Sequence, residues 1–225
     1  MEGSVFTPSL EGMKHIKSPE GEMLTKPFLD VCKLILPVLA VNVLVGLSKL
    51  AFQTGSQQCS KRLKALAVAV AFTDKFGSAM SLVKSDVGGN ISRLEKKYET
   101  DPAKYNHLYS MVKEEVDCET ATDSSSCTNG LLWLTRAMDF LVELFRNLLA
   151  HPDWTMTESC TDSYGKTLKK FHGWIASSAF TVALKLAPDR KKFMEVIAGT
   201  GDVNADMEKF CSTFPPFLEE NHKYL

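Results

Sequence analysis

Helical spacing of apolar residues is the feature that most limits what this chain can fold into. The segment Leu131–Ala150 repeats apolar residues every three to four positions and stops before His151-Pro152, which is typical of a long amphipathic helix. Thr25-Lys-Pro-Phe28 is a helix-start signal followed by the same spacing. Further helices are predicted over Leu82–Tyr98, Tyr105–Glu119, Ser163–Leu186, Asp189–Ala198 and Asn204–Phe214, with a loop at Ser124–Gly130. No stretch alternates with a period of two between hairpin turns, so the predicted class is all-α.

Length, charge and cysteine usage narrow the class of protein further. At 225 residues the chain can form one domain with a sizeable core, and its net charge of −1 gives no general attraction to nucleic acid. None of the six cysteines forms a C-x-x-C pair. Reduced thiols in a cytosolic protein are therefore favoured, with a disulfide framework as the alternative, and no metal site or cofactor is predicted. Residues 1–22 carry no secretory signal pattern and are predicted to be a loosely held lead-in to a single domain over 23–225.

Two uncharged apolar runs were tested as membrane spans. Leu34–Leu47 contains Pro37, Asn42 and Gly46, and Ala65–Phe72 is shorter still. Both fall short of the ~18 apolar residues that a spanning helix needs. We therefore expect a soluble protein, for which contact with a membrane surface stays open.

The segment 40–73 differs from its surroundings, because it contains four basic residues and no acidic residue. It also interrupts a pattern. If it is left out, Phe76, Met80 and Val83 continue the three-to-four-residue spacing that begins at Phe28. We interpret 40–73 as an insertion that splits one helical stripe, either from a retained intron or mis-joined gene model or as a genuine extended loop.

A candidate binding face lies in Lys84-Ser-Asp-Val-Gly-Gly-Asn-Ile-Ser-Arg93. Asp86, Asn90 and Arg93 fall within roughly 60° of one another on a helix, so they present an acceptor, an amide and a cation together. Such a trio suits a ligand covered in hydroxyl groups. A solvated polar face is the alternative, although the adjacent Gly88 and Gly89 are poor helix formers and suggest close approach of a ligand.

Two aromatic contexts extend this candidate site. Trp133 could pack in the core or could stack on the apolar face of a sugar ring. His172 could be a structural histidine or could hydrogen-bond a buried ligand group. Trp174, with Lys169 and Lys170, could form a membrane anchor or an ordinary basic helix surface.

Together these motifs resemble the glycolipid transfer protein family, plant members in particular. The matching stretches are Lys84–Arg93, Leu131-Leu-Trp-Leu-Thr-Arg136, Leu168-Lys-Lys-Phe-His-Gly-Trp174 and Phe6-Thr-Pro-Ser-Leu-Glu-Gly-Met13. The resemblance covers residues 23–39 and 74–225 and implies a two-layer all-helical sandwich that encloses a lipid-chain tunnel. It also implies a monomer that is not an enzyme and that binds one glycosphingolipid, with transient membrane contact.

The resemblance assigns roles residue by residue. Asp86 and His172 match residues that bind the ceramide amide, Asn90 and Arg93 match residues that bind sugar hydroxyls, and Trp133 matches the stacking tryptophan. Val83, Leu168 and Phe180 match residues that line the tunnel, and Trp174 matches a docking residue. Two departures concern Lys185, which stands where animal members carry an aromatic residue, and the short tail, which puts a sugar contact from Tyr224 in doubt.

Three other functions were weighed. A ceramide-1-phosphate carrier of the same fold would need clustered cations; the retained Trp133 favours a neutral sugar, while Arg136 keeps the phosphate alternative open. A lipid sensor would use the same residues as a carrier. A lipid hydrolase is disfavoured because the chain has no G-x-S-x-G, H-E-x-x-H or P-loop motif.

Overall fold

The computed structural model describes residues 3–36, 85–184, 187 and 189–225, and its regular elements in these ranges are helices. The α-helices are α1 (Thr7–Met13), α2 (Thr25–Ile35), α3 (85–100), α4 (Tyr109–Asp117), α5 (Cys127–Ala150), α6 (Met156–Lys166), α7 (Trp174–Leu184), α8 (Arg190–Ala198), α9 (Val203–Thr213) and α10 (Pro215–Tyr224). A short 3-10 helix spans Lys169–Phe171. The all-α prediction is confirmed.

Helix α5 is the element around which the others pack, and α4, α6, α9 and α10 all contact it. Its start is fixed twice: Ser126 accepts a hydrogen bond from the Asn129 N–H, and the Glu115 carboxylate accepts from the N–H groups of Cys127 and Thr128. These acceptors satisfy backbone donors that a helix N-terminus leaves unpaired. The predicted Ser124–Gly130 loop is therefore too long, because α5 begins at Cys127.

Aromatic side chains fill the centre of the core. The Phe6 ring lies 4.9 Å from that of Phe145 and 5.4 Å from that of Phe210, and all three side chains are buried. Phe28 stacks on Phe214 with ring centroids 6.3 Å apart. Phe6 belongs to the segment 1–22, and Leu10, Met13 and Ile16 of the same segment are also buried, so the described part of this segment is anchored in the core rather than loosely held.

The N-terminal segment is held by the turn between α8 and α9. Gly199 has φ +55°, and a Cβ there would lie 2.4 Å from the Gly3 carbonyl oxygen. A side chain at Gly199 would therefore clash with the incoming backbone. Ser4 and Thr7 donate hydrogen bonds from their hydroxyls to Asp206 on α9. Two chain regions that lie far apart in sequence thus fix each other.

The predicted helix Ser163–Leu186 is wrong as a single element. A capping box between Thr155 and Glu158 starts α6 earlier than expected, at Met156. Helix α6 ends at Lys166, the 3-10 helix follows, and His172 has an extended backbone (φ −89°, ψ 129°) before α7 begins at Trp174. This break includes His172 and Gly173. It turns His172 toward the protein, while Trp174 starts a new helix.

The remaining predictions differ in outcome by position. Helix α2 begins at Thr25 as predicted, and Asp189 caps α8 through the Lys192 N–H. The predicted insertion at 40–73, Val83 and Lys185 lie outside the described residues.

The structure shows free thiols at Cys32, Cys118, Cys127, Cys160 and Cys211. Across the parts of the chain that the structure describes, no helix combines the length and apolar character needed to cross a membrane.

Candidate functional site

Helix α3 carries the predicted trio on one face, but its members differ in environment. Asn90 is buried, Arg93 is partly buried and Asp86 lies at the exposed edge. A purely solvated face is therefore wrong for Asn90. A Cβ built on Gly88 or Gly89 would meet nothing within 4 Å, so packing among the described residues does not require glycine at these positions.

Arg93 joins α3 to the start of α5. Its Nη1 donates to the carbonyl oxygens of Ser124 and Ser126, both at 3.0 Å. The arginine lies against Gly130, where a Cβ would be only 3.2 Å from the Arg93 Cδ. Arg93 thus donates two hydrogen bonds to protein backbone. Its other guanidinium N–H groups are not used in these two bonds.

Trp133 and His172 come from different elements and meet at the site. Their ring centroids lie 5.7 Å apart with 30° between the ring planes. His172 is oriented by Tyr164, whose hydroxyl lies 3.1 Å from the His172 Nδ1 and 3.2 Å from the Ser177 Oγ. Sequence reasoning missed Tyr164; the available signal was its position in the same predicted helix, Ser163–Leu186, as His172.

Electrostatic interactions link Asp86 on α3 to His172 of this aromatic pair. Desolvation lowers the pKa of His172, the charge of Arg136 lowers it further, and Asp86 opposes both. Partial enclosure of the carboxylate raises the pKa of Asp86, while His172 and Arg93 oppose that rise. Asp86 and His172 therefore lie within electrostatic reach of each other, with an uncharged imidazole that can donate or accept at neutral pH.

Apolar residues continue from the site along α6 and α7. The Phe180 ring stacks on that of Tyr164, with centroids 4.3 Å apart, and lies 5.7 Å from that of His172. Leu168 is buried. Beyond them, Trp174 is 80% exposed and Ile175 is 66% exposed. This surface adjoins the 3-10 helix, on which both lysines are exposed.

Two other features lie apart from this cluster. Tyr224 stacks face to face on Tyr109 at 3.9 Å, so its ring packs against the protein in this structure.

A cavity of about 590 Å³ lies between the end of α5 and the start of α8, lined by residues such as Trp154, Met194 and Arg190. Arg190 there donates to the carbonyls of Leu148, His151 and Trp154, which is a structural use. The candidate functional site therefore remains the Trp133–His172 pair, with Asp86 within electrostatic reach. Within the described ranges, no group of three His, Cys, Asp or Glu side chains could hold a metal ion.

Comparisons with known proteins identify the family of this chain. The model of the family "Glycolipid transfer protein (GLTP)" matches residues 58–199. Glycolipid transfer protein 1 of Arabidopsis thaliana is 60% identical over 225 residues, which covers 100% of this chain and 95% of the relative. Glycolipid transfer protein 2 of the same plant is 42% identical over 151 residues, covering 65% of this chain and 68% of the relative. The family match begins inside the segment predicted as an insertion, which stays a prediction.

Solved structures share the fold. The structure that describes how FAPP2 selects simple glycosphingolipids with the GLTP fold aligns with a TM-score of 0.75 at 22% identity, covering 98% of this chain and 94% of that one. A mutant of Arabidopsis ACD11 complexed with ceramide-1-phosphate aligns with a TM-score of 0.75 at 14% identity, covering 100% and 95%. The expected all-helical sandwich is thereby confirmed, and the chain belongs to the glycolipid transfer protein family.

Proposed function

We propose that this protein is a non-enzymatic carrier that extracts one glycosphingolipid from a bilayer and transfers it through water to another. The observation that carries the proposal is the contact between the Trp133 and His172 rings, with Phe180 beside His172. Asp86 lies within electrostatic reach of the imidazole, and the chain continues from His172 to exposed Trp174. Transfer through water exposes lipid chains at a cost of about 0.8 kcal/mol per CH₂ group. A carrier that shields the chains needs no covalent chemistry.

The proposed division of labour follows the chemistry of each side chain. Asp86 accepts from the ceramide amide N–H, and neutral His172 completes the polar contact on the opposite side. Asn90 and the remaining N–H groups of Arg93 bind sugar hydroxyls, while the Trp133 indole covers the apolar face of the sugar ring. Leu168 and Phe180 line the path of the lipid chains.

Membrane contact is proposed to involve Trp174, with Lys169 and Lys170 beside it. An exposed indole inserts at the headgroup level of a bilayer, and lysine ammonium groups attract anionic lipid headgroups. We further propose that the protein works in the cytosol as a monomer and binds membranes only transiently. A sphingolipid sensor would use the same contacts and differ in the absence of net transfer.

A ceramide-1-phosphate carrier is the second candidate, and one observation favours it. The Arg136 guanidinium lies 4.9 Å from the Trp133 ring centroid and is close enough to lower the pKa of His172. A cation at this point could pair with a phosphate. Trp133, however, occupies the position where a sugar ring would stack, which supports the glycolipid.

Vesicle-to-vesicle transfer tests the proposal. The full chain should move glucosylceramide or galactosylceramide between vesicles faster than ceramide-1-phosphate. Asp86→Asn should abolish most of this transfer, whereas Asp117→Asn, at the exposed end of α4, should not change it. Absence of transfer of any of the three lipids, by the full chain and by a version lacking 40–73, would rule out the carrier function.

A further inference from the structure

Arg136 occupies an unusual position between two aromatic rings. It follows Trp133 by three residues on α5, so both side chains project from the same face of that helix. Its Cζ lies 3.6 Å from the centroid of the Phe171 ring and 4.9 Å from that of the Trp133 ring. The guanidinium therefore connects the candidate headgroup site to the 3-10 helix beside the proposed docking surface.

An ion pair does not explain why this position holds an arginine. The nearest acid on the same helix is Asp139, but its carboxylate already pairs with His222 on α10, with 2.6 Å between Oδ2 and Nε2. The Arg136 Nε is buried and has no hydrogen-bond partner among the described residues. Its principal contacts are thus ring faces, which a planar guanidinium matches and a lysine ammonium does not.

We propose that Arg136 is a positioning residue for the lipid headgroup site, which fixes the plane of the Trp133 indole and holds Phe171 beside Lys170 and Trp174. His172 borders the same indole at 5.7 Å, so an imidazole and a guanidinium both contact the Trp133 ring. A sugar ring stacks well only on an indole whose plane is fixed in advance. This proposal rests on the proposed function for its effect on lipid transfer, but the ring geometry exists without lipid.

A purely electrostatic role is the competing explanation, and two substitutions separate them. Arg136→Lys keeps the positive charge near His172 and loses the stacking plane. Arg136→Met loses both while keeping a long side chain. Arg146→Lys, at an exposed position later on α5, is the matched control, because Arg146 bonds the Cys211 carbonyl and touches no part of the site.

The first measurement is transfer of glucosylceramide between vesicles by the full-length variants. Arg136→Lys and Arg136→Met should both slow transfer by about fivefold, the scale that cation–π contacts at a partly exposed site support. Arg146→Lys should match the wild type. If Arg136→Lys transfers lipid at the wild-type rate and only Arg136→Met is slow, the positive charge is what matters and the positioning role is overturned.

The second measurement needs no lipid and separates the two proposals. The chain has three tryptophans, so replacing Trp154 and Trp174 with phenylalanine leaves Trp133 as the only reporter. In this background Arg136→Lys should shift the Trp133 emission to longer wavelength, because the indole loses its cover. An unchanged spectrum would overturn the inference even if the wild type transfers glycolipid. A shifted spectrum together with no lipid transfer by the wild type would support the positioning role of Arg136 and refute the carrier function.

Discussion

Two apolar regions of this molecule use the same kinds of residue in opposite ways. In the core, Phe6, Phe145 and Phe210 are buried and pack edge to face. At α7, by contrast, Trp174 is 80% exposed and Val182 is 61% exposed. Burial of the first set stabilises the fold, whereas the second set leaves apolar area in contact with water.

The sequences of two helices explain the contrast. Helix α2 buries all of its large apolar residues except Leu34 on one face, while Lys26 and Lys33 are exposed. Helix α7, Trp-Ile-Ala-Ser-Ser-Ala-Phe-Thr-Val-Ala-Leu, has no charged residue on any side. Its polar side chains are limited to Ser177, Ser178 and Thr181, and a helix this apolar normally lies inside a protein or against lipid. Its exposed side is therefore selected for something other than stability, in keeping with the proposed carrier.

The largest expected effect on stability comes from removing a core ring. Phe6→Ala should lower the free energy of unfolding by about 3–5 kcal/mol, because it leaves a cavity between Phe145 and Phe210. Ile175→Ala, at an exposed position of α7, should change it by less than about 0.5 kcal/mol. Chemical denaturation of both variants measures the contrast. Equal losses would mean that α7 contributes to the core as much as the N-terminal segment does.

A smaller loss is expected where Arg190 holds the end of α5. Arg190→Met removes three hydrogen bonds to the carbonyls of Leu148, His151 and Trp154, and should cost about 2 kcal/mol. Lys191→Met, at the exposed neighbouring position, is the control and should be nearly neutral. Thermal unfolding checks both. If the two variants melt alike, the carbonyls find other donors and the arginine is dispensable.

Trp174→Ala should barely affect stability and should instead reduce membrane contact. The expected change in unfolding free energy is within about 0.5 kcal/mol, since the side chain is mostly in water. Association with anionic vesicles, followed by sedimentation, should fall several-fold. Val116→Ala, another exposed apolar position on α4, is the control and should bind vesicles normally. Unaltered vesicle binding by Trp174→Ala would remove this residue from the docking surface.

The smallest expected change in stability is at Asp86, where substitution should stabilise the protein rather than destabilise it. Because the folded protein raises the pKa of this carboxyl above its ordinary value of 3.8, ionisation costs stability as the pH rises through the folded-state pKa. Asp86→Asn should therefore melt slightly higher than the wild type at pH 7, and the gain should be small because solvent screens this exposed carboxylate.

The pH profile and the transfer assay complete this test. Below pH 3.8 the carboxyl is protonated in both the folded and the unfolded wild type, so the advantage of Asp86→Asn should vanish there. The same variant should transfer glycolipid poorly at every pH. A variant that melts lower than the wild type at pH 7 would mean that the carboxylate stabilises the empty protein.

Local patterns were enough to predict much of the fold and some of the site. Apolar spacing and cap residues predicted α2, α5 and α8, because helix formation depends on neighbours within one or two turns. The spacing of Asp86, Asn90 and Arg93 likewise predicted a shared face on α3. These properties depend on residues close together in sequence, where the geometry of a helix leaves little choice.

Tertiary contacts decided the rest. The N-terminal segment looked unstructured because the partners that hold it, such as Gly199 and Asp206, lie near the other end of the chain. The break before Trp174 and the position of Arg136 between two rings also depend on contacts between separate helices. By itself the sequence determined the all-α class, the presence of helices such as α2, α5 and α8, and the shared face of Asp86, Asn90 and Arg93 on α3. Only packing determined which faces meet, since that choice depends on side chains brought together from distant positions.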